Sequence, residues 1–176
     1  MSPHPPDENQ GKTVSVTFRL AEQADLPAIL HLYAQPAMDA GHVLGLDDAA
    51  RIFDRMAAYP NYTLHVATQS GSVVGSFALL IMDNLGHLGR PSAIIEDVVV
   101  DPHLQRQGIG RAMMQYALSL ATRYGCYKAM LSSNLSRTEA HAFYESLGFT
   151  QHGHSYRIEL EMPLAQPRAD TCKDTG

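Results

Sequence analysis

The stretch AIIEDVVVDPHLQRQGIGRA, residues 93–112, decides the fold of this chain. Its β-branched run predicts a buried strand that ends at Asp101-Pro102, and an amphipathic pattern begins at Ile109. Gly108 and Gly110 lie between these elements, where glycine lets the backbone approach a ligand closely. The first N–H groups of a helix have no partner within it and attract anions. The stretch therefore predicts a strand, a phosphate-binding loop and a helix.

The helix after this loop is indicated by the spacing of its apolar residues. They recur at intervals of three and four, which places them on one face, and Gly125 provides a stop signal. We interpret this face as hydrophobic core. Its members are Ile109, Met113, Ala117, Leu120, Ala121 and Tyr124, and largely on the other side lie Arg111, Gln115, Ser119 and Arg123.

Two other phosphate-binding motifs do not fit the glycine loop. A dinucleotide-binding loop requires a third glycine at the position that Met113 occupies here. A P-loop requires Gly-Lys-Ser or Gly-Lys-Thr, and the sequence contains neither. The loop therefore belongs to neither of these classes.

Two motifs in order resemble those of the GNAT N-acetyltransferases. Gln105-x-x-Gly108-x-Gly110 is similar to the family's acetyl-CoA pyrophosphate motif, and AHAFYESLGF, residues 140–149, is similar to its tyrosine helix and Gly-Phe turn. The resemblance runs from about residue 73 to residue 161. It implies the GNAT α/β fold, a mixed, mainly antiparallel sheet with a central splayed parallel pair and helices on both faces. It also implies acetyl-CoA as co-substrate.

The resemblance further implies which residues bind this co-substrate and which one is the general acid. Backbone groups of the central strand would hold the pantetheine arm, and the glycine loop would hold the pyrophosphate. Tyr144 would protonate the departing thiolate, a step uphill by about 2 kcal/mol for a phenol facing a thiol. The alternative is a core tyrosine whose hydroxyl reaches the surface. The implied cofactor residues are Val98, Val99, Val100, Gln105, Arg106, Gln107, Gly108, Ile109, Gly110 and Arg111.

Two adjacent acids, Glu96 and Asp97, interrupt the apolar strand. Strand alternation puts them on opposite sides of the sheet, and it assigns Glu96 to the side of Val98 and Val100. We expect Glu96 to activate or orient the amine, and Asp97 to contact the substrate. The alternative, held equally, is a buried carboxylate satisfied by the backbone or by a basic residue. The basic candidates are Arg19 and Lys128.

Within the family, three segments look most like glucosamine-6-phosphate N-acetyltransferases, which form dimers and acetylate an amino-sugar phosphate. These segments are 95–100, 124–128 and 143–149. One departure is Arg137, which stands where many members have asparagine. An arginine there suits a phosphate of the substrate or of CoA.

Composition excludes several other classes of protein. The chain has 176 residues, enough for one domain, and a net charge of −5, which gives no general attraction to nucleic acid or anionic membranes. Its two cysteines make no disulfide framework, and its nine histidines share no metal-ligand spacing, so we expect no metal and a reduced, cytoplasmic setting. No apolar run of membrane length occurs, and we expect neither export nor a membrane span.

The rest of the chain is organised by shorter patterns. We expect a disordered tail over 1–12, the GNAT domain over 13–162 and a polar tail over 163–176. Asp25 is a candidate cap for the first helix, and Asp47 or Asp48 begins the second. The predicted strands are 14–19, 62–68, 73–82, 128–131 and 156–161, and the last helix ends at Gly148. Residues 35–45 read as a loop, and the family resemblance implies that this loop forms the acceptor side of the cleft.

The predicted function is N-acetylation of a primary amine on a small molecule, such as an amino sugar or amino-acid-like compound. Two alternatives stay open: acetylation of protein α-amines or lysines, and a non-catalytic acyl-CoA sensor. Only about one lysine amine in 2,500 is neutral at pH 7, so acetylation of lysine depends strongly on a base in the enzyme. Because the sequence shows no histidine or cysteine in a clear base position, an amine of lower pKa is the favoured acceptor. The resemblance and the apolar Ile158 and Leu160 favour a homodimer.

Overall fold

The computed structural model describes residues 15–36, 38–158 and 160. They fall into two compact units that divide between Arg137 and Thr138. The first unit holds one sheet and three α-helices, and the second holds one α-helix. No helix in these described residues is long and apolar enough to cross a membrane.

The sheet of the first unit has five strands in the order β1-β2-β3-β4-β5. Neighbours from β1 to β4 are antiparallel, and β4 and β5 are parallel, which confirms the predicted mixed sheet. The strands are β1 Thr17–Leu20, β2 Tyr62–Gln69, β3 Ser72–Met82, β4 Ser92–Val100 and β5 Lys128–Met130, and the helices are α1 Leu26–Tyr33, α2 Leu46–Ala57, α3 Ile109–Arg123 and α4 Thr138–Glu145.

The parallel pair separates before β4 ends. Residues 92–94 of β4 pair with residues 128–130 of β5, whereas β4 continues to Val100. Among the described residues, β4 therefore has no strand partner on its β5 side from Ile95 onward. This is the predicted splay, and it leaves one backbone edge of β4 open for a ligand.

Helices cover both faces of the sheet. On one face, the Tyr116 ring of α3 lies 5.6 Å from the ring of His65 and 6.3 Å from that of Phe77. On the other face, the α1 phenol of Tyr33 lies close to the hydroxyl of Ser76, the neighbour of Phe77 on β3. Because consecutive strand residues face opposite sides, α1 and α3 pack on opposite faces, as predicted.

The α3 face is closed by tight packing. A Cβ added at Gly75 would lie 2.7 Å from the Met113 sulfur and 2.9 Å from the Val99 carbonyl oxygen, so any side chain here would have to displace the β4 backbone as well as the Met113 side chain of α3. The predicted apolar stripe of α3 is buried except at Tyr124, which follows the last helical residue and is half-exposed. The stripe is thus core.

Asp25 does not cap α1 as predicted. Its carboxylate accepts hydrogen bonds from both terminal nitrogens of Arg19, at 2.6 and 2.8 Å, and from the Glu22 N–H at 2.8 Å. The bonded guanidinium holds the pKa of Asp25 below its ordinary value. Because the guanidinium of Arg19, at the end of β1, holds the Asp25 carboxylate, this carboxylate does not cap α1. A 3₁₀ turn, Gln23–Asp25, precedes the helix.

Other boundaries shift by one to three residues. Gly45 is the N-cap of α2, which begins at Leu46, before either predicted aspartate. The β2–β3 hairpin turns at Ser70 and Gly71, both with positive φ, as the sequence indicated. The helix predicted to end at Gly148 ends at Glu145 and is followed by a turn.

The predicted strand over 156–161 is wrong for the residues that the structure describes. Residues 156–158 and 160 form no strand, and residues 159 and 161 lie outside the described part. The apolar side chains of Tyr156, Ile158 and Leu160 are 81–90% exposed. An alternating pattern forms a strand only beside a partner, and this segment pairs with no strand in the described chain. The predicted tails also lie outside the described residues.

Candidate active site

The centre of β4 contains a β-bulge. Across β3, Ser76 pairs with Val99 and Ala78 pairs with Glu96, so Asp97 and Val98 together oppose one residue. Asp97 adopts φ +53°, a left-handed conformation that an aspartate accepts only at some cost. Bulges of this kind redirect side chains beside functional sites. The bulge lies within the part of β4 whose β5-side edge is open.

The bulge reverses the alternation on which the side of Glu96 was predicted. Glu96 and Val99 pair with alternate residues of β3 and therefore lie on the same face, the face of α1. Val100 pairs with Gly75 and lies on the opposite face. The prediction that Glu96 shares a side with both Val98 and Val100 is thus wrong for Val100, because one extra residue shifts the register after it.

Five side chains at or near the bulge influence one another electrostatically, and we call them the bulge cluster: Tyr33, Asp39, Tyr62, Glu96 and Asp97. Burial raises the pKa of Tyr33 to about 12, and the nearby charges of Asp97 and Asp39 act in the same direction. Burial also raises the pKa of Tyr62, with further contributions from Asp97 and then Glu96. The charges of both strand acids thus raise the pKa of the same phenol, that of Tyr62.

Both strand acids have raised pKa values. For Glu96 the main cause is burial, followed by the charge of Asp97. For Asp97 it is again burial, followed by the charge of Asp39. A carboxylate with a raised pKa accepts a proton more readily, and neither residue is buried out of reach of a ligand. The bulge cluster can therefore attract an ammonium group and receive a proton from it.

The predicted basic partners of these acids are engaged elsewhere. Arg19 forms its ion pair with Asp25, and the Lys128 ammonium lies 5.3 Å from the centre of the Tyr127 ring. Neither forms an ion pair with Glu96 or Asp97. The alternative of a strand acid neutralised by one of these two residues is therefore wrong.

The loop between β4 and α3 presents backbone donors. The Asp101 carboxylate accepts the His103 N–H at 2.9 Å and starts a 3₁₀ turn. Arg106 and Gly108 then adopt φ +63° and +87°. Gly108 is the N-cap of α3, and because glycine has no side chain, it cannot cap the first N–H groups of the helix. Those groups and the helix dipole make a site suited to phosphate.

Two glutamine side chains hold the last carbonyl of β4. The Val100 oxygen accepts hydrogen bonds from Gln35 Nε2 at 3.1 Å and from Gln105 Nε2 at 3.2 Å. Gln105, a predicted cofactor residue, thus bonds back to the strand in this structure. Its contribution to the loop is to fix the point where the chain leaves β4.

The remaining predicted residues lie at the end of the first unit and in the second. The N–H of Arg137 donates to the Asn134 carbonyl at 2.9 Å in a turn that ends the first unit. Tyr144 is a half-buried residue of α4 in the second unit, with its ring 5.2 Å from that of Phe143 and 5.9 Å from that of Phe149. The structure thus brings the strand acids, the open edge and the glycine loop together along one stretch.

Sequence reasoning missed three members of the bulge cluster and Gln35. It gave Tyr33, Asp39 and Tyr62 no role in the site, although the loop 35–45, which contains Asp39, was expected to face the acceptor. A bulge formed by a non-glycine residue has no local sequence signal, and contacts between distant segments have none either. Only the two adjacent acids inside an apolar strand pointed to this region.

Comparisons with known proteins identify the family and the fold. The model of the acetyltransferase (GNAT) family matches residues 26–149. The chain is 32% identical over 151 residues to glucosamine 6-phosphate N-acetyltransferase of Trypanosoma brucei brucei, covering 84% of this chain and 97% of that protein. It is 28% identical over 137 residues to the ribosomal protein bS18 alanine N-acetyltransferase of Escherichia coli (strain K12), covering 77% and 81%.

A solved structure shows the same fold. A Trypanosoma brucei acetyltransferase superposes with a TM-score of 0.68 and 30% identity, covering 83% of this chain and all of that one.

Proposed function

The chain belongs to the GNAT acetyltransferase family, and we propose on that premise that it moves an acetyl group from acetyl-CoA to a primary amine of a small molecule. The acceptor class is an amino sugar or an amino-acid-like compound. One observation carries the proposal: the open edge of β4 is followed, after the short loop 101–108, by the start of α3, which has no side-chain cap. A strand edge with free amides next to an anion site suits a ligand that carries both an amide arm and a pyrophosphate.

In this proposal the cofactor is bound mainly by backbone. The edge groups of residues 98–100 that face away from β3 pair with the pantetheine amides, apart from the Val100 carbonyl, which Gln35 and Gln105 already hold. The N–H groups of Ile109, Gly110 and Arg111 bind the pyrophosphate at the start of α3. Arg106 and Arg111 add positive charge beside it. This role for backbone is compatible with the buried side chain of Val99, because packing and edge binding use different atoms.

The chemistry begins at the bulge cluster. The carboxylates attract the ammonium form of the acceptor, and Glu96 takes its proton directly or through water. The neutral nitrogen attacks the thioester carbonyl and a tetrahedral oxyanion forms. The carbon–sulfur bond then breaks while the nitrogen loses its second proton to solvent, which balances the proton that the thiolate takes up. We assign the proton that the thiolate takes up to Tyr144, on the basis of its position before the Gly-Phe turn of the motif. Asp97 and Arg137 are proposed substrate contacts.

The named activities of two relatives favour an amine of modest pKa. The trypanosomal relative is named for an amino sugar, and the E. coli relative for the alanine of a ribosomal protein. An α-amine with a pKa near 8 is about one-tenth neutral at pH 7, so a carboxylate suffices as its base. Acetylation of a protein α-amine is the second candidate function, and the E. coli relative is the observation that favours it. A cofactor sensor has no need of the bulge cluster.

We also propose that the chain forms a homodimer. The support is the segment of Tyr156, Ile158 and Leu160, whose apolar side chains are exposed in the single chain although they alternate as in a half-buried strand. Light scattering at micromolar concentration tests the proposal, and a monomer would contradict it. The cytoplasmic location stays a prediction from cysteine content alone.

An acceptor panel tests the proposed function. Purified protein is incubated with acetyl-CoA and matched sets of amino sugars, small α-amines, N-terminal peptides and lysine peptides, and released thiol is measured. We expect acetyl-CoA binding in calorimetry and turnover with an amino sugar or small α-amine. Faster turnover of peptides would select the second candidate. Binding without thiol release from any acceptor would favour the sensor, and no binding would reject all three.

A further inference from the structure

Gln35 joins two segments that are far apart in the sequence. It follows α1 and begins the connection to α2, and its side chain donates to the carbonyl of Val100, 65 residues later. The bond length is 3.1 Å and the contact is partly buried. The second donor to this carbonyl, Gln105, comes from the adjoining loop only five residues away. Gln35 is therefore the long-range tether at the end of β4.

The backbone of Gln35 also organises the turn that follows. Its carbonyl accepts the N–H of Met38 at 2.9 Å and that of Ala40 at 3.2 Å. The N–H of Asp39 donates to the Tyr33 carbonyl at 3.1 Å. The turn is thus fastened to the end of α1 at several points, and the Gln35 side chain bonds this segment directly to β4.

This turn carries Asp39, whose charge reaches the bulge. It contributes to the raised pKa of Asp97 and to that of Tyr33. Interactions of this kind weaken within several ångströms in a solvated protein, so Asp39 stays coupled to the bulge only while the turn is held near β4. The tether and the acid are parts of one short segment.

We propose that Gln35 is a positioning residue, whose hydrogen bond to Val100 holds the Asp39 turn against the bulge so that Asp39 and Asp97 together bind the acceptor amine. This inference rests on the proposed function of the site. Asp39 is then a specificity-determining residue for acceptors that carry positive charge. Because the same carbonyl ends the cofactor strand, the tether also links the acceptor side of the cleft to the cofactor side.

The test compares Gln35→Met, which keeps the length of the side chain but removes its donor, with Gln115→Met on the exposed side of α3. We expect Gln35→Met to raise the KM for the amine about fivefold to tenfold, the worth of one hydrogen bond, with kcat and acetyl-CoA affinity within about twofold of wild type. Gln115→Met should match wild type in all three quantities. A general loss of structure would lower kcat and cofactor affinity as well.

A double variant shows whether Gln35 acts through Asp39. Asp39→Asn should raise the amine KM by itself, and adding Gln35→Met should change it by less than about twofold, because the tether then positions a group without charge. Fully additive effects would overturn the proposal. So would a Gln35→Met variant with the amine KM of wild type.

Hydrogen exchange tests the tether without any turnover. The amides of residues 38–42 should exchange at least about threefold faster in Gln35→Met than in Gln115→Met, whereas those of α3 should not change. Equal exchange in the two variants would overturn the inference even if the enzyme is active. Conversely, if wild type shows no thiol release with any amine, the proposed function fails and the predicted amine role of the tether fails with it, whatever the exchange data show.

Discussion

The two faces of β3 and β4 differ sharply although they share the same backbone. The α3 face is closed: His65 stacks on Phe77 at 4.9 Å, and its environment lowers the histidine pKa to about 4 by desolvation. The α1 face carries the bulge, a left-handed Asp97 and acids whose pKa values are raised. The α3 face disfavours a positive charge on His65, whereas the α1 face carries several acidic side chains.

This difference shows how one sheet can serve stability and chemistry at once. Packing on the α3 face fixes β4 where Gly75 lets the helix approach. Because this packing holds β4 rigid, the strand can keep the strained bulge at Asp97 on its other face. The packing contacts that offset the strain lie on the α3 face, away from the proposed ligand site. The following predictions run from the largest expected effect to the smallest.

The largest effect should come from Tyr144→Phe, a change in the second unit. Loss of a positioned general acid lowers kcat by roughly 10²- to 10⁴-fold, while acetyl-CoA affinity and stability should stay close to wild type. Steady-state kinetics with the best acceptor, under conditions where chemistry limits the rate, measures this. Near wild-type turnover would remove Tyr144 from the mechanism and place the chemistry in the bulge cluster alone.

Acid should destabilise the closed face through His65. Its folded-state pKa, about 4, is below the unfolded value of about 6.5, so the unfolded chain binds the extra proton as the pH falls from 6.5 to 4. The free energy of unfolding should therefore drop over this window by about 2 to 3 kcal/mol through this group. Urea unfolding at several pH values checks it.

The matched variants are His65→Phe and His31→Phe, the second at an exposed position of α1. His65→Phe should flatten the pH dependence, and His31→Phe should retain the wild-type curve. If both variants keep that curve, His65 is not the group that makes the α3 face sensitive to acid.

A side chain at Gly110 should crowd the pyrophosphate at the start of α3. We expect Gly110→Val to weaken acetyl-CoA binding by at least about tenfold in calorimetry, with the fold retained. Gly153→Val is a suitable control, because a Cβ at Gly153 meets no atom within 4 Å. Unchanged affinity in a folded Gly110→Val variant would contradict the assignment of this loop to the cofactor.

The smallest catalytic effect is expected on the α1 face. Glu96→Gln should lower kcat/KM by about tenfold, less than Tyr144→Phe, because an amine of modest pKa needs little help to lose its proton. Asp54→Asn on α2 serves as an exposed control. In wild type, kcat/KM should rise with pH to a plateau between about pH 7 and 8.5. A larger loss in Glu96→Gln than in Tyr144→Phe would make the strand acid the main catalyst.

Sequence patterns predicted the closed face better than the open one. The order strand, glycine loop and helix follows from residues 93–112, because each part depends on neighbours in the chain. The stripe of α3 and the hairpin turn at Gly71 are local in the same sense. The splay of the parallel strands β4 and β5 was predicted from the family resemblance, because no local sequence pattern indicates it.

The open face depends on contacts that no local pattern encodes. The bulge places an aspartate in a conformation typical of glycine, and it reversed the predicted side of Glu96. Asp39, whose charge acts on Asp97, belongs to a loop distant in the sequence. Arg19 forms its ion pair with Asp25 and not with a strand acid. The exposed segment ending at Leu160 lacks a partner in the described chain, which pattern alone could not foresee.

The most direct test of the central claim is an amide NMR titration of wild-type protein with acetyl-CoA. The claim is that the open edge of β4 and the start of α3 bind the cofactor, while the α3 face stays closed. We predict the largest shifts at the amides of residues 98–100 and 108–111, and little change at His65 and Phe77. Saturable shifts confined to other residues, or none at millimolar acetyl-CoA, would contradict it.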